Sequence, residues 1–168
     1  MIRGGGCGAI RAGMSRAAVS FLFLAGLIGL RPADLPGQEL RFADPVRYLG
    51  MNLEDALEEP GPPESIYPFR GDTPKQDTVV FYYPEHVYLY WFDDRVWQVR
   101  FDHRFEGPVM GIRFGYGRSE VKGLLGRPAY SDEESLVFEL DGTPFPVRVR
   151  IFFLEDGVHD IYIYRGDF

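Results

Sequence analysis

Two stretches of the chain carry the same punctuation. Gly50 and Gly115 each open a segment that reaches a second glycine after ten intervening residues (Gly61, Gly126), with a proline two positions beyond (Pro63, Pro128), at a common offset of 65. A fixed offset of this kind marks a duplicated unit. The Gly-x-Pro ending stops a helix, because glycine takes the left-handed conformation after the last helical residue and proline cannot continue the turn. Asn52 caps the first helix, and Glu54, Asp55, Ser119 and Glu120 place polar or acidic groups in the first turns. Val121, Leu124 and Leu125 share one apolar face in the second copy, whereas Leu53, Ala56 and Leu57 do so more weakly in the first. Leu124→Ala is therefore expected to cost about 2–4 kcal/mol, and Leu57→Ala less.

Each helix stop is followed by a loop and then by strand-like runs. Thr78–Tyr83 matches Ser135–Leu140 at an offset of 57, and Tyr88–Val96 matches Arg150–Val158 at 62. The acidic pairs Asp93-Asp94 and Glu155-Asp156 read as hairpin turns leading into Val96–Phe101 and Val158–Tyr164. The expected fold is α+β: two tandem units, each a short helix followed by a three-stranded antiparallel sheet, sharing one sheet or core because about 55 residues are marginal alone. Residues 47–105 and 112–168 are the two units, 106–111 the connector and 38–46 a linker. With 168 residues the chain is the length of one ordinary domain, and 15% aromatic residues favour sheet.

Residues 1–37 read as a secretory signal. Arg3, Arg11 and Arg16 precede the apolar run Ala17–Leu30, which has 14 residues and is short of the ~20 that span a bilayer. Cleavage is expected near Gln38, Met14 is an alternative start, and the mature chain is placed in the periplasm or outside the cell, with no stable membrane span. Losing Arg3, Arg11, Arg16 and Arg31 together with Asp34 takes the formal net charge from -7 to -10. So acidic a chain is a poor partner for nucleic acid. The only cysteine, Cys7, leaves with the signal, so neither a disulfide framework nor a cysteine nucleophile or ligand is expected.

The order of export signal, then twice a glycine-initiated short helix ending in Leu125-Gly126-Arg127-Pro128 or Pro60-Gly61-Pro62-Pro63, then aromatic antiparallel strands, resembles the tandem-repeat β-lactamase inhibitory proteins. It is also similar to the small single-unit proteins of the outer-membrane assembly machinery. The resemblance covers roughly residues 46–168 and implies a fold and an inhibitor-like binding role. No inhibitory loop or anchor residue of that family can be matched.

Strand alternation sorts the side chains into two faces. Val79, Phe81, Tyr83, Val87, Leu89, Trp91, Trp97, Val99 and Phe101, with their second-unit counterparts, are expected against the helices. The other face gathers Tyr82, Tyr88, Tyr90, Arg100, Arg148, Arg150, Phe152, Tyr162 and Tyr164. Tyrosine and arginine are favoured at protein interfaces, and these nine residues are the candidate contact set for another protein, with its arginines meeting partner carboxylates. The competing reading is that they merely suit strands and pair with one another.

Catalytic chemistry finds no anchor. His86, His103 and His159 lack metal-ligand spacing, the acidic run Glu54–Glu59 fits an exposed helix face, and no serine stands in a Gly-x-Ser-x-Gly context. No cofactor, metal or catalytic residue is assigned. The sequence points to an exported, non-enzymatic protein-binding module. The alternatives are an accessory of cell-envelope assembly and, more weakly, a hydrolase or ligand carrier with a pocket between the sheet and a loop over Ser65–Asp77.

Overall fold

A computed structural model describes residues 41–71, 77–142 and 144–167. The expected signal segment lies outside these residues, as does the start of the linker. Among the described residues no helix is long and apolar enough to cross a membrane.

After a 3-10 turn at Pro45–Tyr48, the elements run α1 (Leu53–Glu58), β1 (Ser65–Phe69), β2 (Thr78–Tyr83), β3 (Val87–Phe92), β4 (Arg95–Asp102), α2 (Arg118–Leu125), β5 (Tyr130–Ser131), β6 (Ser135–Leu140), β7 (Val147–Leu154) and β8 (Gly157–Arg165). All eight strands form a single antiparallel sheet in the order β1-β2-β3-β4-β8-β7-β6-β5. This overturns the expectation of an α+β fold built from two helix-plus-three-strand units. The described residues form one large sheet with two short helices, and each half contributes a fourth strand. Those two strands have weak signals. β1 contains Pro68 and exposes all five residues, the pattern of an edge strand rather than of a half-buried one. β5 is only two residues long.

The halves meet along β4 and β8, where Val99 pairs with Ile163 and Phe101 with Ile161. One hydrophobic cluster runs across this seam, joining Leu89, Val99 and Phe101 to Val149, Ile151, Ile161 and Ile163. Ala56 of α1 and Val121 of α2 are the helix residues fully buried in it. Leu124 is 51% exposed and Leu57 42%, so the losses expected on truncating them do not apply. The helices, at 6 and 8 residues, are too short to bury a whole apolar stripe.

The structure explains why glycine recurs before each helix. Gly50 and Gly115 adopt φ of 84° and 86°, a region that L side chains enter only with strain. Gly50 N–H donates to Val96 O at 2.7 Å and Val96 N–H to Met51 O at 3.0 Å. Gly115 N–H donates to Val158 O and Val158 N–H to Tyr116 O, both at 2.9 Å. In each half the glycine turn thus ties the chain before the helix to the valine after a hairpin turn. Those turns are the acidic pairs: Asp93, Asp94, Glu155 and Asp156 all have positive φ, as the tight hairpin turn that matches sheet twist requires.

Just beyond each turn the register shifts. Tyr90 pairs with Gln98 but Trp91 with Val96, and Phe152 pairs with Asp160 but Phe153 with Val158, leaving Trp97 and His159 as extra residues. The bulge corrects one face assignment. Trp97 was expected against the helices and instead packs on Val80, Tyr88 and Tyr90 of the opposite face. Val79, on the helix side, is 42% exposed, because α1 does not reach that corner.

Candidate functional site on the open face of the sheet

On the face turned away from α1 and α2, the register lines side chains into rows across the strands. Tyr82, Tyr88, Arg100, Tyr162, Arg150 and Val137 are successive neighbours from β2 to β6. Beside them run Val80, Tyr90, Gln98, Tyr164, Arg148 and Glu139. All nine sequence-derived candidates fall on this one face. They are not equally accessible. Tyr88 and Tyr90 are buried with Val80 in a small cluster of their own, onto which Tyr82 and Trp97 pack, and Phe69 meets the Tyr90 ring edge-on at 5.8 Å. Tyr82, Arg100, Arg148, Arg150, Phe152, Tyr162 and Tyr164 are partly exposed.

The arginines are held by rings and by the protein's own carboxylates. The Arg100 guanidinium sits 4.9 Å from the Tyr88 ring centre and 5.5 Å from that of Tyr162, within cation–π range. Its Nε and Nη2 donate to Asp160 Oδ1 at 2.8 and 2.6 Å. Arg148 donates to Glu139 Oε1 at 3.1 and 2.9 Å. Arg150 differs. It packs 5.7 Å from the Phe152 ring centre, and its Nε is buried with no acceptor among the described residues.

At one end of the face lies a polar network that sequence reasoning missed. Asp102 and Asp160 are cross-strand neighbours and both are buried. Asp102 accepts from Tyr88 Oη at 2.7 Å, from Arg104 Nη2 at 2.6 Å and from the Arg104 backbone N–H at 2.9 Å. Asp160 Oδ2 is 2.6 Å from His159 Nδ1, and the His159 ring stacks on His103 at 4.3 Å. His86 Nδ1 lies 3.2 Å from Tyr82 Oη. The three histidines, scattered in sequence, therefore line the same end of the sheet. Among the described residues no three His, Cys, Asp or Glu side chains are set to hold a metal ion. The available signal was the occurrence of Asp102 and Asp160 inside strands, where aspartate is depleted.

The network fixes charge states. Burial pushes Asp102 up, but hydrogen bonds from Arg104 and Tyr88 outweigh it and hold the carboxyl well below the usual range. Burial, reinforced by the bond to Asp102, pushes the Tyr88 hydroxyl upward. Burial likewise raises Tyr162 to about 12 against the lowering effect of Arg100. Both phenols stay neutral, and that of Tyr88 donates to Asp102. A carboxyl depressed on folding contributes stability that is present above its unfolded value of about 3.9 and is lost as pH falls through the lower folded value. Asp102→Asn should therefore lower stability at pH 7 while flattening its fall below about pH 4, as measured by urea titrations at several pH values. Parallel acid limbs for the two proteins would contradict this.

No match was found. Neither a family model nor a curated protein nor a solved structure matches the chain significantly. The geometry of the face is therefore the basis of any functional reading. It offers ring faces, hydroxyls and immobilised guanidinium groups.

Proposed function

We propose that the chain is an exported, non-enzymatic protein-binding module whose contact surface is the open face of its sheet. The observation that carries this reading is Arg150. It stands between Tyr162 and Val137 in the row that crosses the open face, is itself partly exposed, and no salt bridge joins its guanidinium to a described carboxylate, so its accessible end is left to a partner carbonyl or carboxylate. The neighbouring Tyr162, Tyr164 and Phe152 supply large, rigid contact area. Because Arg100 and Arg148 already have carboxylates of their own, the partner need present only one acceptor, at Arg150, amid apolar and hydroxyl-bearing groups. The resemblance of the helix-stop motif to inhibitory proteins points the same way, toward binding rather than chemistry.

Arg150→Glu breaks no salt bridge, although it loses the attraction of Arg150 for Asp132, and the folded variant, checked by circular dichroism, should fail to capture the partner from envelope or culture extract. Leu124→Glu, on the exposed side of α2, is the control and should capture as the wild type does. Quantitative mass spectrometry of the three eluates makes the comparison. If folded Arg150→Glu recovers the same proteins as the wild type, the open face is not the contact surface. If barrel-assembly proteins are what the variant loses, the envelope-assembly role replaces that of a binder of soluble proteins.

A further inference from the structure

The chain has three histidines, and the fold gathers all of them at one end of the open face. His86 is placed by the turn between β2 and β3, His103 follows β4, and His159 is the extra residue of the bulge in β8. The His103 and His159 rings lie 4.3 Å apart, and His86 Nδ1 stands 3.2 Å from Tyr82 Oη. None is sealed in the core: His103 is exposed and the other two are partly exposed. This end is continuous with the candidate contact residues. Asp160, next to His159, pairs across strands with Phe152, whose ring meets Tyr162 at 5.4 Å and carries the Arg150 guanidinium at 5.7 Å.

Histidine is the side chain whose ordinary change of charge falls between pH 5 and 8, so the charge of this end depends on pH. With neutral rings the fixed charges beside them cancel, Arg100 facing Asp160 and Arg104 facing Asp102. Both carboxylates are already engaged. Asp102 accepts from Arg104 and Tyr88, and Asp160 from Arg100 and from His159, whose Nδ1 therefore carries the hydrogen. His86 Nδ1 stands 4.0 Å from Asp102. Of the other acids nearby along the chain, Glu85 is engaged by Arg41, while Glu106, Glu155 and Asp156 are exposed and screened by solvent. Each proton added to a ring is thus a surplus positive charge on a face whose one other arginine without a salt bridge is Arg150. Two protonated rings 4.3 Å apart also repel each other, and an incoming carboxylate relieves that repulsion. Proton uptake and anion binding are then linked, each favouring the other.

We propose that the histidine end of the open face docks an acidic segment of the protein partner and holds it more tightly in mild acid than at neutral pH. This rests on the reading of the open face as the contact surface, and it adds to Arg150 a second contact that depends on protons.

The probe is an immobilised random copolymer of glutamate and tyrosine, to which binding of the chain is measured by biolayer interferometry at about pH 7.5 and about pH 5.5. Affinity should rise roughly tenfold at the lower pH in low salt, and by less in high salt. His86→Gln/His103→Gln/His159→Gln keeps hydrogen-bonding side chains but not the charge, and should lose the rise. It also carries the copolymer through the same change of pH, so titration of the probe itself shows there. His103→Gln alone, at an exposed position, should lose part of the rise without disturbing the fold. No binding at the lower pH, no tightening in the wild type, or the same tightening in both glutamine variants would overturn the proposal. Arg150→Glu separates the two readings, since it should weaken binding at both pH values. Binding that depends on Arg150 but not on pH sinks the histidine contact alone, whereas a histidine-dependent rise untouched by Arg150→Glu supports the histidine contact and sinks the role of Arg150.

Discussion

Truncating Phe101 to alanine is expected to cost about 3–5 kcal/mol, the largest loss foreseen for any single apolar substitution in this chain. Phe101 is fully buried. It stands on β4 between Val87 of β3 and Ile161 of β8, and its ring meets Phe105 edge-on at 4.8 Å. The residue therefore sits where the two halves share their core, and the cavity would be walled by strands from both. Since domains of this size are stable by only about 5–15 kcal/mol, the midpoint of thermal unfolding should fall by something like 10–20 °C. The shape of the transition is as informative as its position. With one sheet continuous across β4 and β8, wild type and variant should each unfold in a single step reported alike by near- and far-ultraviolet circular dichroism. Leu154→Ala, at a position 61% exposed, should by contrast stay within about 0.5 kcal/mol of wild type. Two separate transitions, only one of them shifted in Phe101→Ala, would mean that the halves fold independently and that the seam is not a common core.

What could be read in the sequence follows from how far each signal depends on local chemistry. The hairpin turns were legible because paired acidic residues between alternating runs tolerate positive φ, and Asp93, Asp94, Glu155 and Asp156 adopt it. The recurrent glycines were legible as punctuation, although the bonds from Gly50 to Val96 and from Gly115 to Val158 are tertiary and left no trace in the pattern. β1 was unreadable because an edge strand exposed on both faces has no alternation, and Pro68 argues against a strand at all. The side-chain period broke at the two bulges, so Trp97 was placed on the wrong face. Leu124 shows the same limit for helices: in 8 residues a heptad-like spacing is satisfied without any surface arriving to cover it. For the open face, alternation placed all nine candidate residues correctly side by side. It could not say that Tyr88 and Tyr90 would be buried beneath their neighbours, nor that the carboxylates answering Arg100 and Arg148 would come from the chain itself.

That last point changes what charge reversal at Arg100 should do. The sequence alone suggests an exposed arginine whose replacement by glutamate leaves the fold nearly intact. In the structure Arg100 is part-buried and grips Asp160 through Nε and Nη2, with 26% of its own side chain and 13% of its partner's exposed. Removing one member of such a pair leaves the other charge poorly solvated, which for fully buried pairs costs about 3–5 kcal/mol. Partial exposure brings the expectation for Arg100→Met down to roughly 2–3 kcal/mol. Arg100→Glu should be worse, because a carboxylate then faces Asp160 between the Tyr88 and Tyr162 rings. The double variant Arg100→Met/Asp160→Leu removes both charges and keeps apolar volume, so it should be more stable than Arg100→Met alone, although His159 loses its bond to Asp160. Urea titrations of the two single variants, the double variant and wild type close a cycle whose coupling term should be at least about 1 kcal/mol in favour of the pair. A coupling near zero, with Arg100→Glu as stable as wild type, would return Arg100 to the role of a free surface charge available to a partner. The expected result instead makes it part of the scaffold that holds Tyr162 and Arg150 in place, with Arg150 as the arginine through which the face acts.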